Sequence, residues 1–129
     1  MGEILQEKVR AWTREGVPGA AKVDVRMAPG ERIPLPSRSI DRALLIHVLH
    51  EISDVEFYFR ELRRVVRPWG RALIVDWNTP KDAPWVGQAG PPPWCRISAS
   101  RAAVLSAKAG FQKAGRISGL THGWGLVCG

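Results

Sequence analysis

Two histidines and a glutamate stand close together near the middle of the chain. His47 and His50 are three residues apart, and Glu51 follows His50 directly. An imidazole pair at this spacing can ligate zinc, but no cysteine or third ligand is spaced to complete the site. The residue four positions after His50 is Asp54, so the zinc-protease pattern H-E-x-x-H is absent. We therefore expect no metal site and interpret the histidines as ligand-binding or structural residues.

A carboxylate and several tryptophans follow the next apolar run. Asp76 comes directly after Ala72-Leu73-Ile74-Val75, where it either orients a substrate or caps a loop, and the structural role is favoured. Tryptophans flank the proline-rich segment that comes next. They either line an aromatic acceptor site or cover the core, and the second reading is favoured. These tryptophans are Trp77, Trp85 and Trp94.

Alternating strands and helices must position these side chains. Apolar residues at spacings of three and four predict helices over Glu3–Glu15, Val55–Val66 and Ser98–Ala109. Alternating or continuous apolar residues predict strands over Lys22–Met27, Asp41–Leu49 and Ala72–Val75, with two short strands around Ile117 and Leu126-Val127.

This order of elements is typical of an open α/β sheet with helices on both faces. Ligands of such sheets bind beyond the carboxyl ends of the strands. We therefore expect the ligand contacts to come from residues 28–31, 47–51 and 76–78. At 129 residues the chain is long enough to bury a core, and we expect one domain over residues 1–129.

Composition and charge narrow the class of protein. The chain is 45% hydrophobic and 24% charged, which excludes disorder and a coiled coil. It has no apolar run of the ~20 residues that span a membrane, no disulfide framework and no signal pattern, so we expect a cytoplasmic protein. The net charge of +7 raises nucleic acid as a partner. A solvated helix face is favoured instead, because the arginines recur with helical period: Arg60, Arg63, Arg64, Arg67 and Arg71.

Several short segments carry a family resemblance through their order and spacing. They are Ile33–Pro36, Ser39–Asp41 with Val48–Glu51, Arg60–Gly70 with Ala72–Trp77, Arg96–Ser98, and Ala109–Phe111. In this arrangement the chain resembles class I S-adenosylmethionine-dependent methyltransferases of the ubiquinone and menaquinone biosynthesis kind (methyltransferase type 11).

The resemblance implies a partial Rossmann-like sheet, with strands 3 to 7 of the family's seven and flanking helices. It also implies a methyltransferase that uses S-adenosylmethionine and acts on a small-molecule or lipid-like acceptor. Its implied cofactor-binding residues are Gly30, Glu31, His47 and Val48, and its implied catalytic residues are His50 and Asp76.

The sequence departs from the family pattern at three places. No G-x-G-x-G turn stands at a strand end to receive the methionine part of the cofactor, so we interpret the chain as the C-terminal two-thirds of such a domain. Pro29-Gly30 replaces the pair that binds the adenine amino group, which leaves Glu31 or Asp24 as the substitute. Pro68-Trp69-Gly70 replaces Pro-Gly-Gly and puts a bulky side chain where a positive φ is needed.

The family's strand order, 3-2-1-4-5-7-6, has a consequence for the assembly. Without strands 1 and 2, the strand over Asp41–Leu49 has an exposed apolar edge, which isolated chains rarely tolerate. We therefore expect a second copy, or a separately encoded N-terminal piece, to cover that edge. The alternative function is a non-catalytic methyltransferase-like remnant that acts as a dimer or partner subunit. A basic nucleic-acid-binding module is less favoured.

Overall fold

Helices and strands alternate along the chain in the computed structural model, which describes residues 2–83 and 89–129. Short 3-10 turns lie at Ala20–Lys22, Leu49–Glu51 and Pro93–Cys95. Two compact units are present, Met1–Gly30 and Glu31–Gly129. The main elements are α1 (Gly2–Arg14), β1 (Ile40–Ile46), α2 (Val55–Val65), β2 (Val66–Trp77), α3 (Ala99–Ala109), β3 (Ala114–Ile117) and β4 (Gly123–Cys128).

The strand predicted over Lys22–Met27 is wrong. Its first residue ends a 3-10 turn, and no strand is assigned over the rest of the segment. A strand is stabilised by hydrogen bonds to a neighbouring strand, and none of the described strands pairs with this segment. Val23 is 51% exposed, so the alternation of apolar and polar residues does not mark a buried face here.

The sheet has the strand order β1-β2-β4-β3. β1 pairs with β2 in parallel, and β4 pairs antiparallel with both β2 and β3. This order equals strands 4-5-7-6 of the family sheet. The partial Rossmann-like α/β fold is therefore confirmed, with family strand 3 absent from the described strands.

Both α2 and α3 begin at the capping residues that the sequence predicts. The Asp54 carboxylate accepts the Phe57 N–H at 2.9 Å, and the Ser98 hydroxyl accepts the Arg101 N–H at 3.2 Å. Each bond satisfies a backbone donor that has no partner inside its helix. The buried core of the Glu31–Gly129 unit includes Leu45, Phe59, Leu62, Val65, Ile74, Leu105, Trp124 and Leu126.

The alternate residues of β1 do not share in this core. Leu44 is 63% exposed and Ile46 is 50% exposed, whereas Leu45 between them is buried. The expectation of burial on both faces is therefore wrong for β1. The apolar run marks a strand correctly, but it does not show what covers its second face.

The segment after α2 differs from the predicted turn at Pro68-Trp69-Gly70. β2 begins at Val66, and its register against β1 shifts between Ile40 and Arg42. Ile40 pairs with Val66 and Arg42 pairs with Arg71, so residues 67–70 form a bulge in the strand. Trp69 is not among the positive-φ residues, so the expected strain at this position is wrong.

Gly70 is required by close packing in this bulge, and we expect Gly70→Ala to lower the free energy of unfolding by about 1–3 kcal/mol. A Cβ at Gly70 would lie 2.7 Å from Val66 Cγ1 and 2.8 Å from the Asp41 carbonyl oxygen. Gly115→Ala is the matched control, because no atom lies within 4 Å of its Cβ position. Urea unfolding of the two variants checks the difference, and equal midpoints would contradict it.

Three arginines of α2 and β2 have contacts within the protein. Arg60 pairs with Glu56 at 3.4 Å, and Arg67 pairs with Asp41 at 2.8 Å. The Arg63 guanidinium lies 5.4 Å from the centre of the Phe111 ring. These intramolecular contacts give the arginines of this stretch a structural role.

Glu61 and Arg64 anchor the loop before β1. Glu61 accepts two hydrogen bonds from Arg64, at 2.7 and 2.8 Å, and one from the Ile33 N–H at 3.0 Å. Arg64 also donates to the Ile33 and Leu35 carbonyls. The Arg64 hydrogen bond holds the pKa of Glu61 below its ordinary value, although burial opposes this shift.

This lowered pKa predicts a loss of stability in acid. The folded state binds fewer protons than the unfolded state when the folded pKa is the lower one. The contribution of Glu61 to the free energy of unfolding is therefore fully present above its pKa in the unfolded chain, about 4.3. This contribution is lost as pH falls through the pKa of Glu61 in the folded protein. We expect Glu61→Gln to destabilise the protein at pH 7 and to have a smaller effect at pH 3. Urea unfolding at both pH values checks this, and a pH-independent effect would contradict it.

None of the helices in the described residues is long and apolar enough to cross a membrane.

Candidate functional site

The carboxyl ends of β1 and β2 lie side by side, because the two strands are parallel neighbours. The His47 N–H donates to the Val75 carbonyl at 2.8 Å, which extends the ladder one residue beyond β1. His47 adopts a φ of 54°, in the left-handed region. This conformation costs a non-glycine residue about 1–2 kcal/mol and is found preferentially at functional sites.

An aromatic stack forms at this end of the sheet. The imidazole of His47 stacks on the indole of Trp77, with ring centroids 4.3 Å apart and planes inclined by 25°. The guanidinium carbon of Arg96 lies 5.6 Å from the Trp77 ring. A Cβ on Gly90 would lie 2.6 Å from the indole, so the Gly90 backbone also lies against it. Trp77 is thus held by His47, Arg96 and Gly90.

Arg96 is a functional candidate that the sequence analysis did not assign. It is 9% exposed and donates to the carbonyls of Asn78, Ala89 and Pro91 at 3.1, 2.7 and 2.9 Å. These bonds fold the segment after β2 back beside Trp77. The available signal was an isolated arginine between a proline-rich stretch and a helix cap.

Asp76 joins the two strand ends through backbone amides. Its side chain is buried, with the residue 1% exposed. One oxygen accepts the Leu49 N–H at 3.1 Å and the other accepts the Trp77 N–H at 2.8 Å. The carboxylate therefore fixes the turn after β1 against the end of β2. This is the loop-capping arrangement that the sequence analysis favoured.

The two histidines each keep a buried nitrogen without a partner. Neither His47 Nδ1 nor His50 Nδ1 has a hydrogen-bond partner among the described residues. His50 Nε2 lies 3.8 Å from a Glu51 oxygen, which is too long for a hydrogen bond. Buried polar atoms are normally paired, so two unpaired nitrogens near the strand ends are unusual. Val48, between them in sequence, is half-buried against the core.

The other predicted cofactor-binding residues have different surroundings. The Glu31 carboxylate accepts the backbone N–H groups of Ser53 and Asp54, which fixes the chain at the start of α2. Gly30 belongs to the Met1–Gly30 unit and has a φ of 64°. The structure brings together His47, His50 and Asp76 at the strand ends, whereas Glu31 is engaged by backbone amides.

Two further expectations concern metals and tryptophans. The described residues contain no group of three His, Cys, Asp or Glu side chains that could hold a metal ion. Trp77 lies in the stack, and Trp94 is 85% exposed. Trp85 lies outside the described residues.

Comparison with known proteins identifies the family. Residues 3–74, more than half of the chain, match the protein family described as "Methyltransferase domain". The chain belongs to this methyltransferase family. It is also similar to the Geobacter sulfurreducens ubiquinone/menaquinone biosynthesis C-methyltransferase, with 32% identity over 66 residues, which are 51% of this chain and 26% of that protein.

Other members of the family give the same result. An uncharacterized methyltransferase of Bacillus subtilis, YcgJ, is 34% identical over 64 residues, which are 50% of this chain and 25% of that protein. The crystal structure of an S-adenosylmethionine-dependent methyltransferase from Aquifex aeolicus has a TM-score of 0.73 and 26% identity. That match covers 92% of this chain and 60% of the Aquifex chain. The chain thus matches about a quarter of the length of these curated relatives.

S-adenosylmethionine is the cofactor that membership in this family implies. The residues at the strand ends fit part of such a ligand. The His47–Trp77 stack offers flat aromatic surface, and two imidazole nitrogens lack partners. The glycine-rich turn of the family is absent from these 129 residues.

Proposed function

We propose that this chain forms the C-terminal part of an S-adenosylmethionine-dependent methyltransferase that acts on a small-molecule or lipid-like acceptor. The observation that supports this most is the strained His47 stacked on Trp77 at the carboxyl ends of parallel strands. Ligands of open α/β sheets bind at this position. His47 and His50 at this position each have an Nδ1 without a hydrogen-bond partner among the described residues.

Methyl transfer requires little of the protein beyond the alignment of the methyl donor with the acceptor. S-adenosylmethionine supplies a methyl group activated by its sulfonium, which is the leaving group. The protein must bring donor and acceptor together and exclude other arrangements. In this proposal His47 and Val48 contact the cofactor, while His50 shapes the pocket for the methyl acceptor. Asp76 is a positioning residue, because both of its oxygens hold backbone amides.

We also propose that a second copy of the chain pairs along β1. β1 is the terminal strand of the described sheet, and exposed Leu44 and Ile46 lie on it. Natural edge strands are usually protected by charges, prolines or a covering element. Residues 43–46 have neither charge nor proline. Pairing of β1 with the β1 strand of a second copy would cover this edge.

Calorimetric titration with S-adenosylhomocysteine tests the proposed function. We expect a dissociation constant in the micromolar range, which corresponds to about −8 kcal/mol. His47→Ala should weaken binding about tenfold, because it removes half of the aromatic stack and an unpaired nitrogen. Trp69→Ala is the control, since it removes an exposed aromatic ring from the opposite end of β2 and should leave affinity unchanged.

The exposed edge of β1 also favours a second candidate function. If no heat is detected with millimolar S-adenosylhomocysteine, the proposed enzyme role is lost for this chain alone. The exposed apolar residues of β1 then support a non-catalytic subunit that pairs with a second copy or another methyltransferase segment. Self-association of the unliganded chain, measured by light scattering, separates a dimeric subunit from a monomer.

A further inference from the structure

A cavity of about 400 Å³ lies at the segment that follows β2. Three basic side chains line it, those of Lys81, Arg96 and Arg101. Two hydroxyl residues, Thr79 and Ser98, line it as well, and both are buried. The cationic side chains make this surface suited to an anionic group.

Arg96 is shared by the lining of the cavity and the surroundings of the aromatic stack. This residue lines the cavity, and its guanidinium carbon lies 5.6 Å from the Trp77 ring. Trp77 stacks on His47, the residue that follows β1. A ligand in the cavity would therefore lie close to the aromatic stack at which methyl transfer is proposed.

Two of the cations are available to a ligand. Lys81 and Arg101 are exposed, and neither forms an ion pair with a described residue. The carboxylate of the same turn, Asp82, is already bonded to the Thr79 N–H and hydroxyl and to the Ala99 N–H. Two of the first three amides of α3, those of Ala99 and Arg101, are thus bonded to Asp82 and Ser98, and the proposal rests on the basic side chains.

We propose that this cavity binds a carboxylate or phosphate group of the methyl acceptor, and that the acceptor is therefore an anionic small molecule. The inference rests on the proposed methyltransferase function. Arg101 offers a planar fork that can bind two oxygens of such a group, and Lys81 offers a compact charge. With the charged group held there, the rest of the acceptor can extend toward Trp77 and His47.

Phenyl phosphate and phenol form a matched pair of probes that differ in the anionic group. Each is titrated into the ¹⁵N-labelled protein at constant ionic strength, and the backbone amide shifts of Thr79, Lys81, Asp82 and residues 97–101 are followed. We expect the amide shifts to give phenyl phosphate a dissociation constant at least tenfold lower than that of phenol. Equal affinity of the two probes, or no shift with phenyl phosphate, would overturn the proposal.

Charge-removing variants separate a site from general attraction to a basic protein. The double variant K81Q/R101Q should lower the affinity for phenyl phosphate at least tenfold. The double variant K108Q/K113Q removes the same charge from exposed positions outside the cavity and should leave the affinity within twofold. Equal losses in both variants would show non-specific attraction and overturn the site.

The carboxylate of the cofactor is the other anionic group that would suit this cavity. In a separate titration, S-adenosylhomocysteine should leave the phenyl phosphate affinity unchanged. Competition between the two ligands would assign the cavity to the cofactor and overturn the acceptor assignment. If S-adenosylhomocysteine does not bind at all while phenyl phosphate does, the anion site stands and the proposed enzyme role fails.

Discussion

Asp76→Ala is expected to lower the free energy of unfolding by about 3 kcal/mol and to weaken S-adenosylhomocysteine binding at least tenfold. The carboxylate is buried and accepts the Leu49 and Trp77 N–H groups. Alanine leaves both donors without a partner, and each buried unpaired donor costs about 1–3 kcal/mol. Binding weakens because these bonds fix the turn that carries His47 and His50. Urea unfolding and calorimetric titration measure the two effects.

Two further variants show how Asp76 acts. Asp76→Asn keeps one amide oxygen as an acceptor, so its loss of stability should fall between those of wild type and alanine. Asp41→Ala removes an exposed carboxylate paired with Arg67 and should change stability by less than about 1 kcal/mol. If Asp76→Ala lost ligand binding at unchanged stability, the carboxylate would contact the ligand directly, and the positioning role would be wrong.

Local chemistry made much of the fold predictable. Asp54 and Ser98 have the side chains that cap helices, and each caps one in the structure. The apolar runs around Leu45 and Ile74 form adjacent parallel strands, as continuous hydrophobic sequence indicates. These features depend on a few neighbouring residues, so one sequence is enough to recognise them.

Features that depend on distant partners were not predictable in the same way. The alternation in Lys22–Met27 resembles a strand, but a strand requires a neighbour that a local pattern cannot reveal. The exposure of Leu44 depends likewise on what covers the second face of β1. At the site, the sequence indicated His47 through the family resemblance. The positions of Trp77 and Arg96 beside it depend on how the segment after β2 folds back.

The wild-type chain is expected to be a dimer in solution, and Leu44→Lys is expected to make it a monomer. Leu44 lies at the middle of the uncharged stretch of β1 and is 63% exposed. Antiparallel pairing of β1 with its copy about a twofold axis centred there would place the two Leu44 side chains close together. Lysine at this position would put two like charges opposite each other, which destabilises the strand pair. Natural proteins use lysine on edge strands to prevent such pairing.

Light scattering after size-exclusion chromatography measures the mass of each variant. Val104→Lys is the control, because it puts the same charge on an apolar residue that is 55% exposed on α3, away from the β1 edge. This variant should remain a dimer, and circular dichroism should show that both variants stay folded. A monomeric wild-type chain at about 100 μM would rule out the second copy as a partner with micromolar affinity. The exposed Leu44 and Ile46 would then be tolerated in solution without a second copy, and pairing along β1 would no longer explain them.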